Sequence, residues 1–191
     1  EGTVFMGRLG LRGLGGYLAF TRALGGRHAQ ELRRLFPAST DAEAVQAITR
    51  LVGVASFVAP ARSLVRGMEL VDAPGYLYHF TRVPPSARFA GLGAFHGCEV
   101  PYVFGNLPPA MPKVDDDLSA VMIRTWAQFA RTGDPNHDGL PLWPVYSSAA
   151  DEHMQFGEVV DVRSGLWREA CDLLDIIRAE REGRGLPAGD A

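Results

Sequence analysis

Apolar and polar positions along the chain alternate between two periods. Leu118, Val121, Met122, Trp126 and Phe129 recur at three- and four-residue steps, which places them on one stripe of a helix opened by Asp115-Asp116-Asp117 and stopped by Gly133. Acidic side chains suit the positive end of a helix, so the Asp run reads as a helix start. It lacks the D-x-D-x-D-G spacing of a calcium loop. A second amphipathic helix is predicted over 166–182, with Leu166, Ala170, Leu173, Leu174 and Ile177 on one face and a mobile tail after Gly183. Residues 17–36 read as helical up to Pro37, approached through a flexible segment with Gly7, Gly10, Gly13, Gly15 and Gly16. Those glycines do not complete G-x-G-x-x-G and no strand pattern precedes them, so a dinucleotide loop is set aside. Asp41 is the predicted N-cap of a helix over 42–52, and Pro60 the predicted start of another reaching Met68.

Strand patterns are fewer. Gly75-Tyr76-Leu77-Tyr78-His79-Phe80-Thr81, bounded by Pro74 and by Pro84-Pro85, reads as a strand whose near-continuous apolar character predicts burial on both faces, as in a parallel sheet. Met154 to Val162, with Gly157 between its apolar parts, predicts a short hairpin or edge strand. Between them, Asp134-Pro135-Asn136 and Asp138-Gly139 carry turn chemistry, and Pro141 and Pro144 hold Trp143 extended. Residues 86–114 have no long period and read as a long functional loop carrying His96.

Composition narrows the function classes. The chain of 191 residues is 47% hydrophobic and 21% charged, an ordinary globular balance, with no fixed-period repeat and no apolar run approaching the ~20 residues of a membrane span. Nineteen Lys and Arg against 22 Asp and Glu give a net charge of -3, too mixed for a phosphate-tracking surface, so no nucleic-acid partner is expected. Gly and Pro make up 35 residues, above the roughly 12% average, so loops are plentiful. Cys98 and Cys171 fit no metal-site spacing, and a bridge between them stays open, as does the redox compartment. Glu1-Gly2-Thr3-Val4-Phe5 has no basic-then-apolar leader and gives the expectation that the chain starts within a longer protein.

His96 is the candidate for chemistry, because it lies between Gly93 and Gly97 on a long loop after a predicted buried strand, where open α/β sheets place their reactive groups. A solvated loop histidine is the bland alternative. Glu99, three residues on, could accept a hydrogen bond nearby; a metal pair would want a helix, which Gly97 and Pro101 oppose, and no further ligand set is evident.

The segment Gly93-Ala94-Phe95-His96-Gly97-Cys98-Glu99-Val100-Pro101-Tyr102-Val103-Phe104-Gly105 resembles the histidine loop of the type B carboxylesterases, the cholinesterase-like branch of the α/β-hydrolases. The resemblance continues in order through Leu118-Ser119, Trp126-Ala127-Gln128-Phe129-Ala130-Arg131-Thr132-Gly133-Asp134-Pro135-Asn136, Leu140-Pro141-Leu142-Trp143-Pro144-Val145-Tyr146 and Met154-Gln155-Phe156-Gly157. Tyr76-Leu77-Tyr78-His79-Phe80 is similar to the strand that feeds the loop, and Phe57 to Arg62 matches more loosely. A family position near Phe57 that often holds Asp is Val54 here.

The resemblance implies an α/β fold, the C-terminal part of an α/β-hydrolase with a mixed sheet covered by helices, in which residues 1–191 are one partial domain. It implies His96 as general base and, from the similarity of Glu1-Gly2-Thr3-Val4-Phe5 to the family's acid segment, Glu1 as the triad acid. No serine here stands in G-x-S-x-G, and the Gly-rich oxyanion segment is also missing. The implied function is carboxylic-ester hydrolysis on small-molecule esters, with no metal or organic cofactor. The 191 residues alone are expected to be inactive, poorly soluble and prone to aggregate. A catalytically inactive binding or adhesion module of the same family is the competing reading. Ester preference, compartment and oligomeric state are not readable.

Overall fold

The computed structural model of the chain describes residues 13–85 and 91–183. In chain order the elements are α1 (Gly13–Gly25), a 3-10 turn (Gly26–His28), α2 (Ala29–Leu35), α3 (Asp41–Gly53), a π-helical turn (Val54–Val58), α4 (Ala59–Glu69), β1 (Tyr78–Phe80), α5 (Val100–Val103), α6 (Lys113–Thr132), β2 (Glu152–Phe156), β3 (Val160–Ser164) and α7 (Arg168–Arg181). They fall into two compact units, one running to Leu64 and resuming at Trp167, the other Val65–Leu166.

The first unit is helical. Tyr17, Leu32, Phe36, Ile48 and Leu51 are buried with Leu173, Leu174 and Ile177 of α7 in one apolar cluster. The helix predicted over 17–36 starts earlier, at Gly13, so Gly13, Gly15 and Gly16 are helical rather than an approach loop, and it breaks at Gly26 (φ +54°). Gly7 and Gly10 lie outside the described residues, as does the tail after Gly183.

Asp41 does not cap its own helix. Thr40 does: its hydroxyl accepts from the Glu43 N–H, while the Glu43 carboxylate accepts from the Thr40 N–H, a reciprocal capping box. Asp41 instead reaches across to accept the Leu14 N–H at 2.8 Å, satisfying a donor that the first turn of α1 leaves without a helical partner. A β-carbon at Gly13 would lie 2.6 Å from that carboxylate oxygen, so the close approach requires glycine.

Nor does Pro60 start a new helix. Helical backbone is continuous over Asp41–Glu69, with the Ala59 N–H donating five residues back to the Val54 carbonyl. The wider π turn accommodates a proline that has no N–H to give. This 29-residue helix holds an 18-residue window of mean hydropathy 1.4, long and apolar enough by length and composition to cross a membrane, contrary to the expectation from apolar runs. Ala44, Ala47, Ile48, Leu51, Val52, Val54 and Ala59 of this helix are spent on the core, a use that accounts for its apolar character.

The second unit carries the sheet, ordered β1-β2-β3, with β1 parallel to β2 and β2 antiparallel to β3. The register pairs Tyr78 with Met154 and Phe80 with Phe156 across the parallel ladder, and Phe156 with Val160 across the hairpin. Both the parallel pairing and the hairpin agree with the sequence expectation. Burial along β1 is uneven: Phe80 is buried, His79 on the opposite face is half-buried, and Tyr78, on the same face as Phe80, is exposed, so the expected full burial of the strand does not hold. Phe80, Tyr102, Leu118, Met122, Trp143, Met154 and Phe156 form the core beneath the sheet.

On α6 the buried positions are Asp115, Leu118, Ser119, Met122 and Thr125. The inward face is therefore rotated from the predicted stripe, and Phe129 lies at its exposed rim, edge-on to Tyr76 at 6.0 Å. Gly133 ends the helix in the left-handed region (φ 76°), with its N–H returned to the Phe129 carbonyl. Cys98 and Cys171 are both buried thiols.

Candidate functional site

The segment that resembles a histidine loop leaves the sheet after β1 and re-enters regular structure at α5. Residues 86–90 within it lie outside the described structure. Gly93 (φ 66°) and Gly97 (φ 83°) bracket His96, so the chain reverses on both sides of it in a conformation that side-chain-bearing residues adopt only under strain. The turn is closed by Cys98 N–H to the Phe95 carbonyl at 3.1 Å and by Val100 N–H to the Gly97 carbonyl at 3.2 Å. Ala94 and Phe95 pack on the core of the second unit and Cys98 is buried in it, while His96 between them is exposed. The loop is thus anchored by its apolar residues and presents its imidazole outward.

Phe95 is half-buried against that core and Phe104 is 70% exposed, so neither is a fully buried core aromatic. Glu99 is half-buried, and its carbonyl accepts the N–H groups of Tyr102 and Val103, which starts α5. Glu1, the expected acid, lies outside the described residues, so the structure does not bring it to His96. Nearby, a cleft of about 390 Å³ is formed by residues such as Leu107, Pro109, Met111, Ser119 and Ile123, without His96. Among the described residues no group of three His, Cys, Asp or Glu gathers to hold a metal ion.

A charged network lies where the loop begins and ends. Arg82, two residues past β1, donates from Nε to Asp115 Oδ1 at 2.8 Å and from Nη2 to Oδ2 at 2.7 Å. Its Nη1 reaches Glu158 of the β2–β3 turn at 3.0 Å. The Tyr102 hydroxyl, on α5, donates to the same Asp115 Oδ1 at 2.6 Å, and the Ser119 hydroxyl donates to the Tyr102 carbonyl at 2.8 Å.

Asp115 is fully buried, and the two-pronged Arg82 contact holds its carboxyl below the usual carboxylate range despite burial, with the Tyr102 hydrogen bond acting in the same direction. Burial, followed by the adjacent carboxylate, pushes the Tyr102 hydroxyl well above the ordinary phenol value. Arg82 is held firmly charged by Asp115.

The expected place of Asp115 at a helix start holds, since it lies in the first turn of α6, but it makes no cap there and is in addition a buried anion neutralised by Arg82. The available cue is its spacing. Asp115 is three and seven residues before Leu118 and Met122, on the inward face, and a carboxylate there needs a cationic partner. Nothing local identifies that partner, which lies 33 positions away.

Comparison with known proteins gives the family. The sequence profile described as "Carboxylesterase family" matches residues 29–174. The chain is 39% identical over 110 residues to carboxylesterase 5A of Canis lupus familiaris, covering 52% of this chain and 19% of the relative. It is 31% identical over 184 residues to fumonisin B1 esterase of Sphingopyxis macrogoltabida, covering 87% of this chain and 32% of that protein. It is 37% identical over 114 residues to acylcarnitine hydrolase of Mus musculus, 55% of this chain and 20% of the relative. The chain therefore spans 19–32% of the length of these relatives. The helices and small mixed sheet agree with the α/β-hydrolase fold that this family implies, and the chain belongs to the carboxylesterase family.

Proposed function

We propose that this chain is the C-terminal portion of a carboxylic-ester hydrolase domain and contributes His96 and Glu1 to a Ser-His-Glu triad, with the serine and the oxyanion donors supplied by sequence outside these 191 residues. The observation that carries the reading is His96 itself: an exposed imidazole on a tight glycine-bracketed turn, on the loop that follows a parallel strand, inside the family match.

A serine hydroxyl is a weak nucleophile until a base removes its proton. In the proposed reaction, His96 accepts that proton as the serine oxygen bonds to the ester carbonyl carbon, and backbone donors stabilise the resulting oxyanion. Collapse breaks the bond to the alcohol oxygen, which receives the proton from His96. Water then repeats the sequence on the acyl-enzyme, releasing the acid and restoring the serine. Glu1 fixes the imidazole tautomer and stabilises its charged form. No metal or organic cofactor enters these steps.

The test is ester hydrolysis by the complete gene product, with p-nitrophenyl acetate as probe and His96→Ala and Glu1→Gln as variants. The expected loss in kcat is on the order of 10⁴-fold for His96→Ala. Full activity in His96→Ala would overturn the assignment. A complete product with no hydrolysis before mutation would favour an inactive binding module. The 191 residues alone are expected to show no turnover.

A further inference from the structure

The loop that carries His96 begins past β1, where Arg82 lies, and ends at α5, which holds Tyr102, and both of these residues are hydrogen-bonded to one buried carboxylate, Asp115. We propose that Arg82, Asp115 and Tyr102 form a clamp that sets the position of His96, so that all three are positioning residues for the hydrolysis. The inference rests on the assignment of His96 as the general base.

Three observations favour a clamp over a general stabilising ion pair. The first is placement: the contacts join the two ends of one loop to the first turn of α6, rather than joining neighbouring turns of one element. The second is rigidity. The guanidinium meets the carboxylate with two parallel N–H bonds, which fixes orientation as well as distance. Asp115 and Tyr102 are 0% and 1% exposed, and the Arg82 side chain 11%, so solvent offers little competition for these bonds.

The third observation is a continuous path to His96. Ser119 of α6 holds the Tyr102 carbonyl, the Tyr102 N–H is bonded to the Glu99 carbonyl, and the Cys98 N–H closes the His96 turn on Phe95. The Tyr102 ring also packs on Phe80 of β1, with centroids 5.1 Å apart. A shift at Asp115 is therefore passed through short bonded contacts to the backbone that carries the imidazole. General-base chemistry is sensitive to such shifts, since a displacement of about 1 Å can cost on the order of 10²-fold in rate.

The test uses the complete esterase with p-nitrophenyl acetate and the variants Tyr102→Phe, Asp115→Asn and His96→Ala. Asn136→Ala, which destabilises the same unit without touching the clamp, serves as control. Tyr102→Phe keeps the ring and its packing, so it reports even where Asp115→Asn fails to fold. The expected result is a fall in kcat of about tenfold or more with KM changed less than about twofold in Tyr102→Phe, at a temperature where each protein is fully folded by circular dichroism. Asn136→Ala is expected to keep its kcat under the same conditions. If Tyr102→Phe and Asp115→Asn lower the unfolding midpoint but keep kcat, as the control does, the clamp only stabilises and the inference is overturned. If His96→Ala stays active, the reading of the site itself has failed, a result distinct from loss of the clamp alone.

Discussion

The side-chain amide of Asn136 brackets the backbone of Trp143 much as a neighbouring strand would. Asn136 Oδ1 accepts the Trp143 N–H at 2.7 Å, and Nδ2 donates to the Trp143 carbonyl at 3.1 Å. Asp134 holds the amide in place by accepting both from Nδ2 at 2.7 Å and from the Asn136 N–H at 2.9 Å. Trp143 is thereby fixed with its ring in the core, against Phe156 and Tyr76, and its indole N–H on the Leu77 carbonyl. The turn after α6 and the aromatic core of the second unit are one construction.

Asn136→Ala is accordingly expected to destabilise the protein by about 2–3 kcal/mol, since it removes two hydrogen bonds and leaves backbone groups of a buried residue without partners. Asn136→Asp keeps the acceptor for Trp143 N–H, loses the donor to its carbonyl and sets a second carboxylate beside Asp134, so it is expected to fall nearly as far. Denaturant midpoints measure both. A shift within about 0.5 kcal/mol for Asn136→Ala would mean that water replaces the amide without loss.

Much of this arrangement is legible in the sequence, but only where the cause is local. The amphipathic run from Leu118 to Phe129, the Gly133 stop and the alternation about Gly157 each follow from a few consecutive residues, and α6 and the β2–β3 hairpin appear where expected. Asp134-Pro135-Asn136 reads as a turn, yet nothing in it announces that Asn136 will hold Trp143 seven positions on. The same holds for Asp41. Its cap-like identity is evident, but the helix end it satisfies belongs to Leu14, 27 residues earlier. The continuity of α3 and α4 was hidden by Pro60, because a proline reads as a helix start unless a π turn relieves its missing donor.

The His96 turn is legible from its glycines, whereas Arg82 as partner of Asp115 is not, because a long-range ion pair leaves no period in the sequence. The rotation of the α6 face toward Asp115 has the same origin. Leu118 and Met122 locate the core, but only the buried pair shows that a carboxylate shares their face.

Acid should weaken the Arg82–Asp115 pair in a defined window. The Asp115 carboxyl, lowered by Arg82 in the folded state, has an ordinary value of about 3.9 in the unfolded chain. Above about pH 5 the group is ionised in both states and its contribution is complete; as pH falls further, the unfolded chain takes up the proton first and stability declines. The expected result is that wild type loses stability more steeply than Asp115→Asn between about pH 4 and 2. Equal slopes would show that Asp115 is not preferentially ionised in the folded protein. The alkaline limb has the opposite sign. Tyr102 is raised in the folded state, so its contribution is intact below about pH 10 and is lost as pH rises beyond.

Gly97→Ala probes the turn without touching any side chain. A β-carbon at Gly97 meets nothing within 4 Å, so the cost is confined to holding a left-handed residue at φ 83°. That cost is about 1–2 kcal/mol, and the turn can relieve it by rotating the peptide beside His96. Stability is expected to fall by no more than that amount, while kcat of the complete esterase falls further than the stability loss explains. Unchanged kcat would show that the imidazole position tolerates a different turn.

The last prediction concerns the 191 residues expressed by themselves. Leu70, Val71, Phe104 and Leu142 are each at least 70% exposed, and β1 has a sheet partner on one side only among the described strands. A parallel strand with a sheet partner on one side only, in a chain that exposes large apolar side chains, is a template for other chains. Dynamic light scattering and an apolar fluorescent dye are expected to report self-association, and Leu142→Lys, which charges one of these positions without removing a buried contact, to reduce it. A monodisperse product that melts cooperatively would show instead that the two units satisfy their own apolar surface, and that the β1 edge is protected within the chain.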